Sequence, residues 1–593
     1  MLGLNYQKRN NTLLFKDLEK QLEIENCQNY IPLYNKLFQL NSTNYKNINL
    51  DNEQYIYKLN NKLDNLYSYN STIRDNSNND VNLDVFFKLS PLLDPLKYAI
   101  GKYDISDVNL LEIPNFLNNN SHAKTRDMNN SAYVDGFFSY LSSKLVKKYN
   151  FVHGLNYYGS FLGTKNNFIY NACDEIELLL ESKFFHDNKN KLFVLDDRHD
   201  NINSDSRCYK AKLYIDNVSD ISEFDIIEIN DNVDNGLDEL KNEDKESNVE
   251  MNENNEFDLL ILENINDLVT VCKPDNNSTK SKSNFSDCSS RTSHTSNNSD
   301  EEGFENNDFS DDEASYETME DTESTNDDDD DSDVTDLTMS TDLDENINLT
   351  INKFPISVIC LEKCEDTLDS YMYNNDNDIP QDEWGSIFMQ IIMTLITYNK
   401  LFNFTHNDLH TNNIMYSSTD KKFLYYKINN TYYKVPTFGK IYKIIDFGRA
   451  IYKYNDFNYC SDSFHKNGDA STQYNFEPYM NNKKPRLEPN FSFDLCRLAC
   501  SLYDYICNNE KKDNKVTLLI KDWCKDDKGR NVLYKTNGDE RYPDFKLYKM
   551  IVRTVHNHTP ENQLKREMFS RYVVSKNKIK KSDMSLVMDI DTY

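Results

Sequence analysis

The sequence predicts an α+β protein in which a small β-rich N-terminal part and a mainly α-helical C-terminal part are separated by a long acidic insertion. Three observations support this prediction. Short apolar runs such as Leu83-Asp-Val-Phe-Phe-Lys88 and Ile356-Ser-Val-Ile-Cys-Leu361 are typical of strands. Acidic residues are concentrated in residues 300–345, and apolar residues recur at helical spacing in residues 386–401.

The charge of the chain lies mostly in one stretch. The 593 residues include 66 Lys and Arg and 98 Asp and Glu, which gives a formal net charge of −32. Residues 300–345 contain 22 acidic residues and no Lys or Arg, so the rest of the chain carries −10. Because an acidic chain repels nucleic acid and anionic membranes, we expect no direct nucleic-acid partner and no membrane partner. The acidic stretch is suited instead to a basic protein partner.

The sequence also indicates a cellular compartment. The N-terminus lacks an apolar core of signal-peptide length, and the longest apolar stretch, residues 387–398, is too short to span a bilayer. The twelve cysteines are scattered and never form a Cys-x-x-Cys pair, which favours neither a disulfide framework nor a zinc site. We therefore expect an intracellular, cytoplasmic protein that is not secreted and has no transmembrane segment.

Residues 165–350 are predicted to form one insertion. Its first part, to about residue 272, contains apolar runs such as residues 177–180 and 192–195, which fit added strands or a helix. The Ser-, Thr- and Asn-rich residues 276–298 and the acidic stretch after them have no periodic apolar face. We expect this second part to be disordered, because it cannot bury a core and its charges repel one another.

Two loops after the insertion carry the groups that phosphoryl transfer needs. One is His406-Asn-Asp-Leu-His-Thr-Asn-Asn413, and the other ends the short strand Tyr442-Lys-Ile-Ile-Asp-Phe-Gly448. The reaction needs a carboxylate that orients the attacking hydroxyl and accepts its proton, and oxygen ligands that hold Mg²⁺ against the phosphates. Asp408 suits the first role, and Asn413 and Asp446 suit the second.

These motifs resemble those of the protein-kinase superfamily, whose catalytic loop is H-R-D-L-x-x-x-N and whose metal loop is D-F-G. Leu361-Glu-Lys-Cys-Glu-Asp-Thr-Leu368 is similar to the hinge that meets adenine. Ser492-Phe-Asp-Leu-Cys-Arg-Leu-Ala499 is similar to the start of the helix whose acid, here Asp494, braces the catalytic loop. The Asn- and Tyr-rich composition and the long gap between the two loops resemble serine/threonine kinases of giant cytoplasmic DNA viruses.

The resemblance implies a bilobal protein-kinase-like fold. A small β-rich N-lobe would carry the long acidic insertion, and the C-lobe would be mainly α-helical. The implied segments are an N-terminal extension at 1–75, the first part of the N-lobe at 76–164, the insertion at 165–350, the last N-lobe strand with the hinge at 351–364, and the C-lobe at 365–593.

The resemblance also implies an activity, that of an ATP- and Mg²⁺-dependent serine/threonine-protein kinase acting on protein substrates, in the host cytoplasm or in a virion. Asp408 would be the catalytic base. The implied site residues are Asp408, His410 and Asn413 for catalysis, Lys88, Asp135, Leu361, Glu362 and Cys364 for the nucleotide, and Asn413 and Asp446 for the metal.

The N-terminal match is less complete. Lys88 ends its apolar run and is the candidate phosphate-binding lysine, with a solvated strand-end lysine as the alternative. Asp135 is the only acid in the predicted helix, about two turns earlier than the spacing of the family, and Glu112 is the alternative. Residues 67–82, where the family has its Gly-x-Gly-x-x-Gly loop, contain no glycine, so phosphate binding must depend more on Lys88 and Mg²⁺.

The C-terminal part departs from the kinase pattern at three places. Asn407 replaces the arginine that normally receives an activation-loop phosphate, so we expect activity without that switch. His410 stands where many kinases have a lysine, and it either donates to the γ-phosphate or packs the loop. Residues 423–436 alternate around Asn429 and Asn430 like a β-hairpin, which either contacts a partner or decorates the protein.

Two other functions remain open from the sequence. A pseudokinase or scaffold that uses its acidic insertion is favoured by the missing glycines and disfavoured by the retention of Asp408, Asn413 and Asp446. A small-molecule kinase is compatible with the catalytic loop, whereas the complete Asp-Phe-Gly favours a protein substrate.

Overall fold

The computed structural model describes residues 3–63, 67–173, 175–196, 347–375, 379–507 and 514–593. These residues form a mixed α+β structure, which confirms the predicted class. Residues 197–346 lie outside the described residues. They include residues 276–298 and the acidic stretch, for which disorder was predicted.

One antiparallel sheet organises the N-terminal half. The strands of this half are β1 (Tyr6–Lys8), β2 (Ile24–Gln28), β3 (Ile48–Leu50), β4 (Gln54–Lys62), β5 (Ser68–Asp75), β6 (Asp80–Pro91), β7 (Tyr157–Asn171), β8 (Phe193–Leu195) and β9 (Asn348–Glu362). Seven of them form the sheet in the order β2-β7-β9-β6-β5-β4, with β8 also on β9, while β1 pairs with β3. Strand β9 is buried on both faces, because Val358 and Cys360 enter one core and Ile359 and Leu361 enter the other.

Helices cover both faces of this sheet. They are α1 (Thr12–Leu22), α2 (Tyr34–Leu37), α3 (Pro95–Ala99), α4 (Ala123–Arg126), α5 (Ser131–Tyr149), α6 (Ile176–Glu181) and α7 (Lys183–Asn188). Helix α1 buries Leu14, Leu18 and Leu22, one residue per turn, against one face. Helix α5 belongs to the core on the other face, which continues into the C-terminal half, and most of its residues are buried.

The sheet corrects two predicted boundaries. Residues 1–75 are not a separate extension, because β4 pairs with β5, β5 pairs with β6, and β2 pairs with β7. Polar residues between the buried Ile56 and Leu59 obscure their strand pattern in the sequence. The insertion predicted at 165–350 is shorter, because β7 continues to Asn171 and β9 begins at Asn348, and these two residues pair. Its described start contains α6, α7 and β8, which agrees with the predicted partial order.

The C-terminal half contains most of the longer helices and three small groups of strands. Its helices are α8 (Leu368–Asn374), α9 (Gln381–Phe402), α10 (Phe493–Cys507), α11 (Lys515–Trp523), α12 (Lys546–Thr554), α13 (Pro560–Gln563) and α14 (Glu567–Ser570). Its strands are β10 (Asp366–Thr367), β11 (Ile414–Ser418), β12 (Phe423–Ile428), β13 (Thr431–Pro436), β14 (Lys440–Ile444), β15 (Ile451–Tyr454), β16 (Phe457–Cys460), β17 (Val573–Val574) and β18 (Val587–Asp589). No helix in the described ranges has the length and apolar character that crossing a membrane requires.

The predicted hairpin at 423–436 is confirmed. Strands β12 and β13 pair with Ile428 opposite Thr431, and Asn429 and Asn430 have φ angles of 49° and 58°, as a two-residue hairpin turn requires. The C-terminal strands β17 and β18 extend the hairpin into a sheet of order β17-β13-β12-β18. Both edges of the hairpin are therefore paired within the chain.

Candidate active site

Lys88, Asp135 and Asp446 meet between the seven-stranded sheet and the C-terminal half. Lys88 Nζ lies 2.6 Å from Asp135 Oδ2 and 2.8 Å from Asp446 Oδ1. The Asp135 side chain is 3% exposed, whereas the Asp446 side chain is 46% exposed. The structure thus gathers three predicted site residues, from β6, from α5 and from the loop after β14, into one cluster.

Lys88 lies on the face of β6 that is directed toward α5. It is paired with Ile359 of β9, and its neighbours Val85 and Phe87 are buried in the core on the opposite face. The Lys88 side chain is 24% exposed and contacts two carboxylates. The alternative of a solvated strand-end lysine is therefore wrong.

Asp135 reaches Lys88 because α5 packs closely on the sheet. A Cβ atom on Gly136 would lie 3.3 Å from Ser160 Oγ and 3.5 Å from Ile359 Cδ1, so a larger side chain at this position would push the helix away. Close packing of α5 at Gly136 thus accompanies the contact between Asp135 and Lys88. Glu112, the alternative, is an exposed residue of the loop between α3 and α4.

The Asp-Phe-Gly segment is tied to α5 by both its backbone and its ring. The Phe447 N–H donates to Asp135 Oδ1 over 3.0 Å, and the buried Phe447 ring lies 4.6 Å from the ring of Phe138 on α5. Asp446 has a φ of 60°, a left-handed conformation that is uncommon for a residue other than glycine. This strained conformation directs the Asp446 carboxylate to Lys88 while Phe447 anchors the loop.

The three charged side chains of the cluster shift one another's pKa values. Burial opposes the charge on Lys88, but Asp135 and Asp446 outweigh it and raise the pKa of Lys88 above its ordinary value. Burial, assisted by the nearby Asp446 charge, raises the pKa of Asp135 despite Lys88. Partial desolvation acts to raise the pKa of Asp446, but Lys88 outweighs it and the pKa is lowered. The exposed Asp446 is therefore the carboxylate that stays ionised most readily.

Asp494 of α10 holds the loop that carries Asp408 through hydrogen bonds to the loop backbone. The two carboxylate oxygens of Asp494 accept the N–H groups of His406 and Asn407, each over 2.9 Å. Asn407 has a φ of 66° and is fully buried, and its side chain donates to the Arg449 carbonyl over 2.9 Å. The bracing role that the resemblance implies for Asp494 thus has matching geometry, and the buried Asn407 ties this loop to the segment after Asp-Phe-Gly.

Three residues that the sequence analysis did not identify surround Asp408. The Tyr548 hydroxyl donates to Asp408 Oδ1 over 2.9 Å, and Arg449 Nη1 lies 3.6 Å from Asp408 Oδ2. Arg497 Nε in turn donates to the Tyr548 hydroxyl over 2.9 Å. Burial acts to raise the pKa of Asp408, but Arg449, together with His410 and Arg497, outweighs it and lowers the pKa well below its ordinary value. Asp408 is therefore held as a carboxylate.

His410 and Asn413 form the other end of the same loop. Asn413 Nδ2 donates to the Asp408 carbonyl over 2.9 Å and lies 3.0 Å from His410 Nε2. Burial is the main cause that lowers the pKa of His410 to about 4, so its ring is neutral near pH 7. With Nε2 accepting from Asn413, the ring proton is assigned to Nδ1, a buried atom with no hydrogen-bond partner among the described residues. His410 therefore packs the loop and keeps one donor available.

Oxygen donors suited to Mg²⁺ are present in this cluster. No described residue donates a hydrogen bond to Asn413 Oδ1, and the Asp446 carboxylate is partly exposed. The described ranges contain no group of three or more His, Cys, Asp and Glu side chains that could hold a metal by themselves. This donor set fits Mg²⁺, which is often bound through one or two protein oxygens and completes its shell with phosphate and water.

The predicted hinge residues are the last two residues of β9, Leu361 and Glu362, and Cys364 just beyond it. Leu361 is buried in the sheet, and Cys364 is buried beyond its end. The Glu362 carboxylate pairs with Lys443 and accepts a hydrogen bond from the Asn156 side chain, so it is engaged within the protein. A nucleotide contact from Glu362 would therefore have to come from its backbone.

Most backbone donors of this stretch are also engaged. The N–H groups of Glu362, Lys363 and Glu365 donate to the carbonyls of Asn156, Asp84 and Tyr416 over 2.9, 3.2 and 2.9 Å, respectively. Among the described residues, none accepts from the N–H of Cys364. Cys364 thus carries the one amide donor between residues 362 and 365 that these contacts leave for a ligand.

Comparison with known proteins adds no relative. The chain matches no protein-family model and no curated protein. Its function is therefore inferred from the residues and geometry of the site.

Proposed function

We propose that this protein is an ATP- and Mg²⁺-dependent protein kinase that transfers the γ-phosphate to serine or threonine hydroxyls, with Asp408 as the base. One observation carries the proposal: the carboxylates of Asp135 and Asp446 both lie within 2.8 Å of Lys88 Nζ, and the residue before Asp446 bonds the loop that holds Asp408 and Asn413. A phosphate-binding lysine, metal-binding oxygens and a base are the parts that phosphoryl transfer requires.

A bilobal kinase-like fold is part of the proposal. The seven-stranded sheet with α5 supplies Lys88 and Asp135, and the helical C-terminal half supplies Asp408, Asn413 and Asp446. The chain passes from β9 to β10 through residues 363–365, which would be the hinge, and the Cys364 N–H would be a donor to the adenine ring. ATP would then lie between the two halves with its phosphates directed to Lys88.

Asp408 is suited to orient and deprotonate the acceptor. The acceptor hydroxyl would pass its proton to Asp408 as the new bond between its oxygen and the γ-phosphorus forms and the bond from that phosphorus to the ADP oxygen breaks. The lowered pKa of Asp408, which Arg449 maintains against burial, means that the carboxylate is a weak base. This suits a loose transition state, in which the proton leaves late and orientation of the hydroxyl matters most.

Asn413 Oδ1 and the Asp446 carboxylate would hold Mg²⁺. Bound there, the ion would neutralise charge on the phosphates and bridge their oxygens. A cation would be attracted to this site, because the one lysine faces two carboxylates and the net charge of the three side chains is negative.

The missing glycines favour a second candidate, a pseudokinase that acts as a scaffold. Residues 67–82, predicted to correspond to the glycine-rich loop, instead form β5, a turn and the start of β6, and the preceding connection between β4 and β5 is only partly described. That connection, residues 63–67, has no glycine either. A scaffold has no need for an ionised, loop-held Asp408, however, and for this reason we favour the enzyme. A small-molecule kinase has no specific observation in its favour.

The decisive experiment measures transfer of radiolabelled γ-phosphate from ATP with Mg²⁺ by the purified full chain. We expect incorporation into a protein or peptide acceptor with the wild type and none above background with Asp408→Ala. Asp420→Ala is the matched control, because Asp420 is an exposed residue between β11 and β12. Absence of transfer by a folded wild type would refute the enzyme and favour the scaffold.

A further inference from the structure

A short segment after Asp-Phe-Gly connects the Asp408 loop to helix α12. The Tyr474 hydroxyl donates to Asn407 Oδ1 over 2.6 Å, and Arg553 Nη2 of α12 donates to the Thr472 carbonyl over 3.0 Å. Asn475 Nδ2 donates to the Lys484 carbonyl over 3.0 Å. Residues 472–475 therefore hold the loop of Lys484 and the end of α12 on the same side of the molecule as Asp408.

Three cations, Lys484, Lys549 and Arg553, form what we call the basic surface. Lys484 and Arg553 are exposed and Lys549 is half-buried. Arg553 Nη1 donates to the Lys549 carbonyl, one turn earlier in α12, over 2.5 Å. Burial lowers the pKa of Lys549, and repulsion from Arg553 and Lys484 lowers it further. Among the described residues, no carboxylate lies within ion-pair distance of any of the three.

The neighbouring Arg486 differs from these cations. Its guanidinium pairs with Glu477 over 2.6 Å and with Glu488, so the acids of this segment are engaged there. The basic surface is thus left with an excess of positive charge in a chain whose net charge is −32. Exposed like charges held together without a counter-charge are unfavourable, and an anionic ligand would relieve the repulsion.

The helix that carries Lys549 and Arg553 also contacts the Asp408 carboxylate. Tyr548, the residue before Lys549, donates to Asp408 Oδ1 over 2.9 Å. A polypeptide whose hydroxyl reaches Asp408 and whose chain follows α12 toward its C-terminal end would bring its flanking residues to Lys549, Arg553 and Lys484. These three side chains would contact the substrate residues on either side of the acceptor serine or threonine.

We propose that the basic surface selects protein substrates in which acidic residues flank the phosphorylated serine or threonine. This inference rests on the proposed kinase function and adds its substrate class. Ion pairs with Lys484 and Lys549, and a forked contact with Arg553, suit aspartate and glutamate side chains. Sequences of this chemistry occur in the chain itself, such as Ser299-Asp-Glu-Glu302 and Ser310-Asp-Asp-Glu313.

The test compares peptides and matched charge reversals in the full chain. We would measure kcat/KM for a peptide with serine followed by three acidic residues and for one in which alanines replace the acids. The test variant is the double change Lys484→Glu and Lys549→Glu. The control is Lys16→Glu and Lys20→Glu, two exposed residues of α1. Arg553 is left unchanged, because it also bonds the Thr472 carbonyl.

We expect the wild type and the control to prefer the acidic peptide by about tenfold, the size that several exposed ion pairs provide together. The double variant should lose this preference through KM, with kcat for the alanine peptide unchanged. Equal use of both peptides by the wild type, or a preference that survives the double change, would overturn the proposal.

A binding measurement separates this proposal from the proposed function. If the wild type transfers no phosphate to any peptide, the kinase function fails, and fluorescence anisotropy with a labelled acidic peptide still tests the surface. Binding by the wild type and the control, but not by the double variant, supports it. Equal binding by all three proteins, or displacement of the peptide by a single-stranded oligonucleotide at lower concentration than by the unlabelled peptide, refutes it.

Discussion

Two lysine–carboxylate contacts join the sheet to the C-terminal half, and they differ in charge balance. Lys443 of β14 pairs with Glu362 at the end of β9, and it also donates to the Gly154 carbonyl over 3.1 Å. Lys88 meets two carboxylates, those of Asp135 and Asp446. The Lys443 and Glu362 side chains are 8% and 15% exposed, whereas Asp446 is 46% exposed.

The difference separates a structural contact from a functional one. The charges of Lys443 and Glu362 balance each other, and Glu362 also accepts hydrogen bonds from Asn156. This pair therefore needs neither a charge nor a hydrogen bond from a ligand. The Lys88 cluster has one negative charge in excess, on a carboxylate that faces solvent. An excess charge at an open site is favourable only when a cation or a polar ligand binds, which is what Mg²⁺ and ATP would supply.

Replacing Lys88 should have the largest effect. We expect Lys88→Met to reduce phosphate transfer about a thousandfold, because it removes a cation placed to stabilise charge on the phosphates. Lys443→Met is the matched control and should keep transfer per folded molecule within about twofold. Equal losses in the two variants, measured with active protein normalised by folded fraction, would contradict the comparison.

Replacing Lys443 should instead destabilise the fold. Lys443→Met leaves the largely buried Glu362 carboxylate without its cation, which should lower the free energy of unfolding by about 3 kcal/mol. Urea unfolding followed by circular dichroism measures the change. A double change to Lys443→Met and Glu362→Gln should recover part of the loss, since no uncompensated charge then remains.

Acid should weaken the region around Lys443 through His153. This buried side chain lies 2.7 Å from the Tyr442 carbonyl and 2.7 Å from the Tyr426 hydroxyl, and burial lowers its pKa to about 4. Because the unfolded chain then binds the proton more tightly, stability is full above about pH 6.5 and falls as the pH drops toward 4, by about 3 kcal/mol. His153→Gln should make the free energy of unfolding, measured by urea titration, depend less on pH between 7 and 4.5. The same pH dependence in this variant as in the wild type would contradict the role of His153.

Removing the Tyr548 hydroxyl should have the smallest effect of the four. Tyr548→Phe deletes a hydrogen bond to the Asp408 carboxylate, which should lower kcat about tenfold. Because that bond favours the ionised form, its loss should also move the acid limb of the kcat profile to higher pH. A lower kcat with an unmoved acid limb would assign Tyr548 a purely structural role.

Local patterns made much of the site predictable. Asp408, Asn413 and Asp446 lie in short motifs whose residue types and spacing suit one reaction, and Lys88 ends a recognisable apolar run. Asp135 was also predicted, but its contact with Lys88 goes with the close packing of α5 at Gly136, which no local pattern reveals.

Other parts of the structure depend on contacts between distant residues. Tyr548 lies 140 residues from Asp408 in the chain, and its contact is set by how α12 packs against α10. Arg449 directly follows Asp-Phe-Gly, so its position was a usable signal that the sequence analysis missed. Strands β2, β4 and β5 were missed because Asn, Lys and Tyr interrupt their apolar alternation. Only their pairing, of β2 with β7, of β5 with β6 and of β4 with β5, shows that they belong to the sheet.

The most direct measurement is the change in melting temperature when ATP and Mg²⁺ are added to the wild type, Lys88→Met and Lys443→Met. A ligand that binds only the folded state raises the melting temperature, and at a given concentration a tighter ligand raises it more. We predict a rise for the wild type and for Lys443→Met, despite the lower starting point of the latter, and little or no rise for Lys88→Met. A rise of the same size in Lys88→Met, or none in the wild type, would contradict the assignment of the Lys88 cluster as the nucleotide site.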